Sequence, residues 1–89
     1  MYEFKLYVVG RTPKSTAAID ELKTLLTGAF NGHYHLKVIY IIENPEEAEK
    51  NKVLATPTLE KVSPEPVRKV IGDLSNSETV LFALGLTAE

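Results

Sequence analysis

The chain is expected to form one small α/β domain, residues 1–89, with the element order βαβαββα. Three observations carry that expectation. In the first half an apolar strand, an amphipathic helix and a second apolar strand follow one another, and in the second half two β-branched runs flank Ser63-Pro64-Glu65-Pro66. The first of those runs opens at Pro57, within VLATPTLEKV (residues 53–62). A strand, helix, strand succession implies a right-handed parallel crossover. Two strands joined by a short proline-containing loop read as a hairpin. At 89 residues the chain supports one hydrophobic core and no more.

Each element has a local cause. EFKLYVV (residues 3–9) alternates Phe4, Leu6 and Val8 against Lys5, Tyr7 and Val9, as a half-buried to buried strand does, and ends at Gly10. Thr12 is placed to cap a helix with Pro13 at its first position. Ala18, Leu22, Leu25, Leu26 and Ala29 then share one face, and Asn31-Gly32 stops the helix. Leu36 to Ile42 is apolar on both faces in its second half, which predicts a central parallel strand. Asn44, Pro45, Glu46 and Glu47 signal a helix over 45–51, with a cap, a first-position proline and two carboxylates on the positive end of the helix dipole. Thr58–Val62 and Val67–Ile71 are the two hairpin strands. Ser75 and Glu78 read as a capping box for a last helix over 76–84 whose core face is Val80, Leu81 and Leu84, with Gly85 closing it.

Pro57 needs its own account. It has no amide proton for a strand ladder, so it is tolerable only at a strand's first position or on an edge. X-Pro is also the bond where a cis peptide is cheap, and a cis Thr56-Pro57 bond is expected here. A turn, proline, strand sequence on this layout is that of the ligand-facing loop in thioredoxin-like domains. Those domains work through cysteine, and this chain has none. Disulfide exchange, thiol catalysis and thiolate metal sites are therefore excluded.

Composition narrows the functional classes further. Hydrophobic residues make up 44% and charged residues 25%, the values of ordinary globular domains. A formal charge of −2 gives no basic field for nucleic acid or an anionic membrane surface. The longest aliphatic and aromatic run, Val38–Ile42, is far too short to span a bilayer. A soluble cytoplasmic protein without cofactor is expected.

KLYVVGRTPKS (5–15), LKVIYIIENPEEAEKNKVLATPTLEKV (36–62) and PVRKVIGDLSN (66–76) together resemble the KaiB family of circadian-clock proteins across nearly the whole chain. The resemblance implies a non-enzymatic regulator that binds the N-terminal ATPase ring of a KaiC-like ATPase. It also implies competition with a thioredoxin-like sensor histidine kinase domain and recruitment of a KaiA-like protein. For the KaiC-facing surface it points to Lys5, Ala48, Asn51, Lys52, Val53 and Leu54; for further partners, to Tyr34, Lys37, Lys61 and Arg68. The family is known to interconvert between a tetrameric ground fold, βαββααβ, and a thioredoxin-like monomer. Thr56, Pro57, Ala83 and Gly85 are the expected determinants of that balance. Ala83 replaces a relative's Gly, which favours helix by up to ~1 kcal/mol, so the thioredoxin-like monomer is expected to dominate. Ala17 stands where relatives often carry Arg, and the acidic tail of relatives is missing from this sequence.

Other readings of the same residues are plainer. The Glu46, Glu47, Glu49, Lys50, Lys52 cluster reads by default as a solvated helix face. His33 and His35 share a strand face but lack a third ligand near in sequence, so they are not read as a metal site. Tyr7 and Tyr40 read as core or sheet-face residues rather than a stacking platform for bases. The alternative function is a glutathione- or partner-binding adaptor without redox activity, in which Asn76 and Ser77 would receive the tripeptide's carboxylate at a helix N-terminus. Hydroxyls at Thr12 and Ser15 stand where thiols would be. They exclude electron transfer and leave only thiol activation.

Overall fold

The computed structural model describes residues 1–72 and 74–85. The elements follow the order βαβαββα: β1 (Tyr2–Val8), α1 (Pro13–Phe30), β2 (Tyr34–Tyr40), α2 (Pro45–Lys50), β3 (Thr58–Ser63), β4 (Arg68–Ile71) and α3 (Ser77–Ala83). They build one four-stranded sheet in the order β2-β1-β3-β4. β1 runs parallel to β2, from Tyr2 opposite Tyr34 to Val8 opposite Tyr40. It runs antiparallel to β3, with Leu6 opposite Leu59, and β3 pairs antiparallel with β4.

The central strand is therefore β1, and the expectation that the second strand would be central is corrected: β2 lies on an edge. Its apolar residues beyond Tyr40 misled the reading, because strand geometry ends there. Glu43 and Asn44 both donate their amides to the Tyr40 carbonyl, closing a turn. Ile41 and Ile42 still bond back to Val8 and Val9, and the Ile42 side chain is 71% exposed. Its Cδ1 would lie 3.3 Å from a Cβ at position 10, so Gly10 leaves room for it.

Alternation along β1 separates two layers. Phe4, Leu6 and Val8 face one way and pack with Leu22 and Leu26 of α1, Leu59, Val70, Leu74, and Val80 and Leu84 at α3. An aromatic group, Tyr2, Phe4, Phe30 and Tyr34, closes the end of this core, with ring centroids 4.4 to 6.3 Å apart. Lys5 and Tyr7 face the other way, towards α2. Only Ala48 of α2 is buried.

The α1 signals act as expected. The Thr12 side chain accepts from the Ser15 amide at 3.1 Å, Pro13 follows, and Asn31 and Gly32 end the helix with φ of 54° and 79°. At α3 the cap moves by one residue: Asn76, not Ser75, accepts from the Thr79 amide at 3.0 Å. Asn44 holds the cap position of α2, but its side chain makes no capping bond; it donates instead to the Tyr40 carbonyl. Gly85 closes α3 at φ +75°, with its amide on the Phe82 carbonyl. Ala83 is the last residue of α3 rather than an interior one, so its propensity advantage over Gly is smaller than a full interior substitution gives. The Thr56-Pro57, Ser63-Pro64 and Glu65-Pro66 bonds are cis.

Leu26 is fully buried between α1 and the sheet while Leu54 is 92% exposed, so the two leucines make a paired test. Leu26→Ala is expected to cost about 2–5 kcal/mol, and Leu54→Ala to stay within about 0.5 kcal/mol of the parent. Urea unfolding of both variants reads the contrast.

Candidate functional sites

Under α2 the sheet carries polar chemistry rather than a second oily core. β1 brings Lys5 and Tyr7, and β3 brings Thr58 and Glu60 opposite them. Lys5 forms an ion pair with Glu47 of α2, Nζ to Oε2 at 3.5 Å. From β4, Lys69 Nζ donates to the Asn51 carbonyl at 2.7 Å, where a cation favours the negative end of the helix. Tyr7 is completely buried, and neither its hydroxyl nor the buried Oε1 of Glu60 completes a hydrogen bond. Burial first, then the negative charges of Glu60 and Glu47, push the Tyr7 phenol up to about 12. The near contact between Tyr7 and Glu60 adds least, in keeping with its incomplete geometry.

α2 then presents a protruding segment. Asn51 ends the helix, its amide side chain on the Glu47 carbonyl at 2.9 Å. Lys52 turns into the left-handed region at φ 56°, and the Val53 amide returns to the Ala48 carbonyl. This turn throws Leu54 almost wholly into solvent, with exposed Glu49, Lys50 and Lys52 nearby in sequence. Lys5, Asn51, Lys52, Val53 and Leu54 thus gather at one end of α2 and the strand beneath it. Ala48 is corrected: it is buried against the sheet, so it seats the helix and is not available as a contact.

The second predicted group is divided. Tyr34 and Lys37 lie on edge strand β2, on opposite faces of it, whereas Lys61 and Arg68 lie on β3 and β4, across β1. The Tyr34 hydroxyl is 3.0 Å from the Thr27 hydroxyl and donates to the Lys23 carbonyl. Lys61 is only 4% exposed, its ammonium donating to the Pro64 carbonyl at 2.8 Å, so as a surface contact it is corrected too. Arg68 is exposed and lies beside Gly85. These four residues do not form one patch.

A cleft of about 790 Å3 opens where the end of β1, the start of α1, the Thr56-Pro57 turn and Leu74-Ser75 converge. The turn is held by the Gly72 amide on the Pro57 carbonyl at 2.9 Å and by the Thr58 hydroxyl on the Ala55 carbonyl at 2.6 Å. Thr12 and Ser15 line it with their hydroxyls 3.1 Å apart. Asn76 and Ser77 do not line it. The Asn76 side chain caps α3, so the expected carboxylate-receiving pair lies outside this cleft.

Sequence reasoning missed three features. One is the Tyr7–Glu60 pair, whose signal was a tyrosine in the middle of an apolar strand. Another is the clip in which Arg11 binds Glu43 through two nitrogens, at 2.7 and 3.2 Å, and lies 4.2 Å over the Tyr40 ring. That bond to Arg11 holds the Glu43 carboxyl below its ordinary range. The third is that Lys14 and Glu21, seven residues apart, line the cleft together. His33 and His35 are exposed, and among the described residues no group of three or more His, Cys, Asp or Glu could hold a metal ion. No helix among the described residues is long and apolar enough to cross a membrane.

The model of the KaiB domain matches residues 5–86. The chain belongs to the KaiB family. It is 58% identical over 85 residues to the circadian clock oscillator protein KaiB of Gloeothece citriformis, covering 96% of this chain and 80% of that one. It is 56% identical over 88 residues to the protein of the same name from Picosynechococcus, covering 99% and 85%. Among solved structures, the N-terminal domain of Synechococcus elongatus SasA superposes with a TM-score of 0.77 at 22% identity, covering 99% of this chain and 87% of that one. Mitochondrial thioredoxin 3 of Saccharomyces cerevisiae gives 0.71 at 15% identity, covering 94% and 76%. At such identities these likenesses establish the thioredoxin-like fold of this KaiB-family chain.

Tyr7→Phe deletes a buried hydroxyl that has no partner, so at neutral pH it is expected to leave stability unchanged or raise it. The raised phenol gives a second expectation. The parent's contribution from Tyr7 is intact below about pH 10 and is lost as the pH rises from there towards 12, because the unfolded chain releases that proton first. Denaturant unfolding near neutrality and at about pH 11 should show the stability of the variant relative to the parent rising at the higher pH. A large loss at neutral pH would mean that the hydroxyl has a structural partner.

Proposed function

We propose that the protein is a non-enzymatic regulator of a KaiB-type clock that docks, through the end of α2 and residues 51–54, on the N-terminal ATPase ring of a KaiC-like ATPase. Membership of the family supports the clock role. The observation that carries the docking surface is Leu54: a 92% exposed leucine, in a family-matched segment, preceded in sequence by the exposed charges Glu49, Lys50 and Lys52. An apolar anchor inside a charged rim is how specific interfaces are built. Hydroxyls at Thr12 and Ser15 in place of thiols support binding without redox turnover. The shared fold with the SasA domain supports competition between two similar domains for one ring surface. Edge strand β2, with Tyr34 and Lys37, is the surface offered to a KaiA-like partner. In this proposal the βαβαββα monomer is the competent state, exchange with a βαββααβ form controls access to it, and Gly85 closing α3 favours the former.

Binding to an isolated KaiC-type ring tests the surface. Leu54→Glu is expected to weaken it by about 30-fold or more, the scale of a lost central anchor. Lys52→Glu should act mainly on association rate and salt dependence. A Leu54→Glu variant with parental circular dichroism and parental affinity would place the interface elsewhere.

A further inference from the structure

The polar layer under α2 holds one charged group that its natural partners pass by. The strand register sets Glu60 of β3 directly opposite Lys5 of β1 on one side and Lys69 of β4 on the other, so the three side chains share the face on which α2 lies. Opposite charges at that spacing ordinarily pair across strands. Here both ammonium groups turn to α2 instead: Lys5 Nζ lies 3.5 Å from Glu47 Oε2, and Lys69 Nζ donates to the Asn51 carbonyl at 2.7 Å. Glu60 is only 9% exposed, and its buried Oε1 accepts no hydrogen bond. With α2 seated, the two lysines fasten the helix and leave a buried carboxylate oxygen without a partner, which is unfavourable.

We propose that Glu60 is an exchange partner for Lys5 and Lys69: it takes both ammonium groups when α2 lifts off the sheet and returns them when the helix reseats. Lifting α2 breaks the Lys5–Glu47 and Lys69–Asn51 contacts and admits water to Glu60. The strands stay in place, because β1, β3 and β4 pair with one another without help from α2. Both lysines are then within side-chain reach of Glu60, since Cβ atoms directly opposite in a sheet lie about 4.5–5.5 Å apart. The lysines have partners in either state, whereas the Glu60 oxygen has them only in the lifted one. The Tyr7 hydroxyl, also without a partner while α2 is seated, is reached by solvent in the same movement. Glu60 thereby sets how readily α2 leaves the sheet, against the burial of Ala48 that holds it there. The exchange does not depend on what docks at residues 51–54.

Amide hydrogen exchange of the full chain under native conditions reads the opening of α2 through the Asn51 and Val53 amides, which bond to the Glu47 and Ala48 carbonyls. Glu60→Gln keeps the shape of the side chain and removes its charge, so the lifted state loses its ion pairs. Exchange at Asn51 and Val53 is expected to slow by about threefold to tenfold, the scale of two cross-strand pairs, beyond any change at the β1 and β3 amides. The difference should shrink in about 1 M salt, which screens exposed pairs but not the penalty of burying a charge. Glu47→Ala gives a second reading in a folded chain: Lys5 is released, and its Nζ is expected to show through-hydrogen-bond NMR coupling to the Glu60 carboxyl carbon that the parent lacks. Faster exchange in Glu60→Gln, as a carboxylate that holds the helix down would give, an unchanged rate, a difference that persists at high salt, or no Lys5–Glu60 coupling in Glu47→Ala would each overturn the exchange.

Discussion

Everything in this fold is assembled on β1. It is paired along its length with β2 on one side and β3 on the other, so its backbone polar groups are satisfied in both directions. Its side chains are buried on both faces, with Phe4, Leu6 and Val8 towards α1 and α3 and Tyr7 towards α2. The seven-residue strand thus fixes where both helical layers lie. The loop leaving it forms one wall of the cleft.

The two layers differ in how they are held. α1 and α3 meet the sheet through contiguous aliphatic burial, worth roughly 1.5–3 kcal/mol for each fully buried leucine or valine. α2 contributes one buried alanine, a partly exposed ion pair and a lysine on a carbonyl. An exposed pair of that kind adds about 0–1 kcal/mol. Stability is concentrated on the face away from the proposed docking segment, and the segment itself rests on interactions that are individually weak. Local opening of α2 accordingly requires much less free energy than global unfolding.

Where the cause was local, the sequence was readable. Thr12-Pro13 and Asn31-Gly32 bracket α1 because caps and left-handed residues act within a turn of the chain. The left-handed closure at Gly85 is of the same kind. Strand order was not readable: whether the run from Val38 is central or at an edge depends on which partner β1 accepts on its far side, and that is decided by β3, twenty residues later. Site residues divide in the same way. Leu54 directly follows a charged helix and precedes a proline turn, a boundary visible in the sequence, whereas the burial of Ala48 and Lys61 depends on tertiary packing that one-dimensional spacing does not encode.

Among the described residues the sheet leaves two edges without a neighbouring strand, and their composition bears on how the protein behaves in crowded solution. β2 carries His35 and Lys37 along its edge, both exposed. β4 is only four residues long, follows Pro66 closely, and begins with exposed Arg68 and Lys69. Charge, shortness and a nearby proline are the devices by which natural sheets discourage strand-to-strand addition. Two copies meeting edge to edge would confront lysine with lysine at either margin. The sheet is thereby guarded against indiscriminate extension into fibrous aggregates, although its backbone groups stay open to a partner that brings acidic side chains.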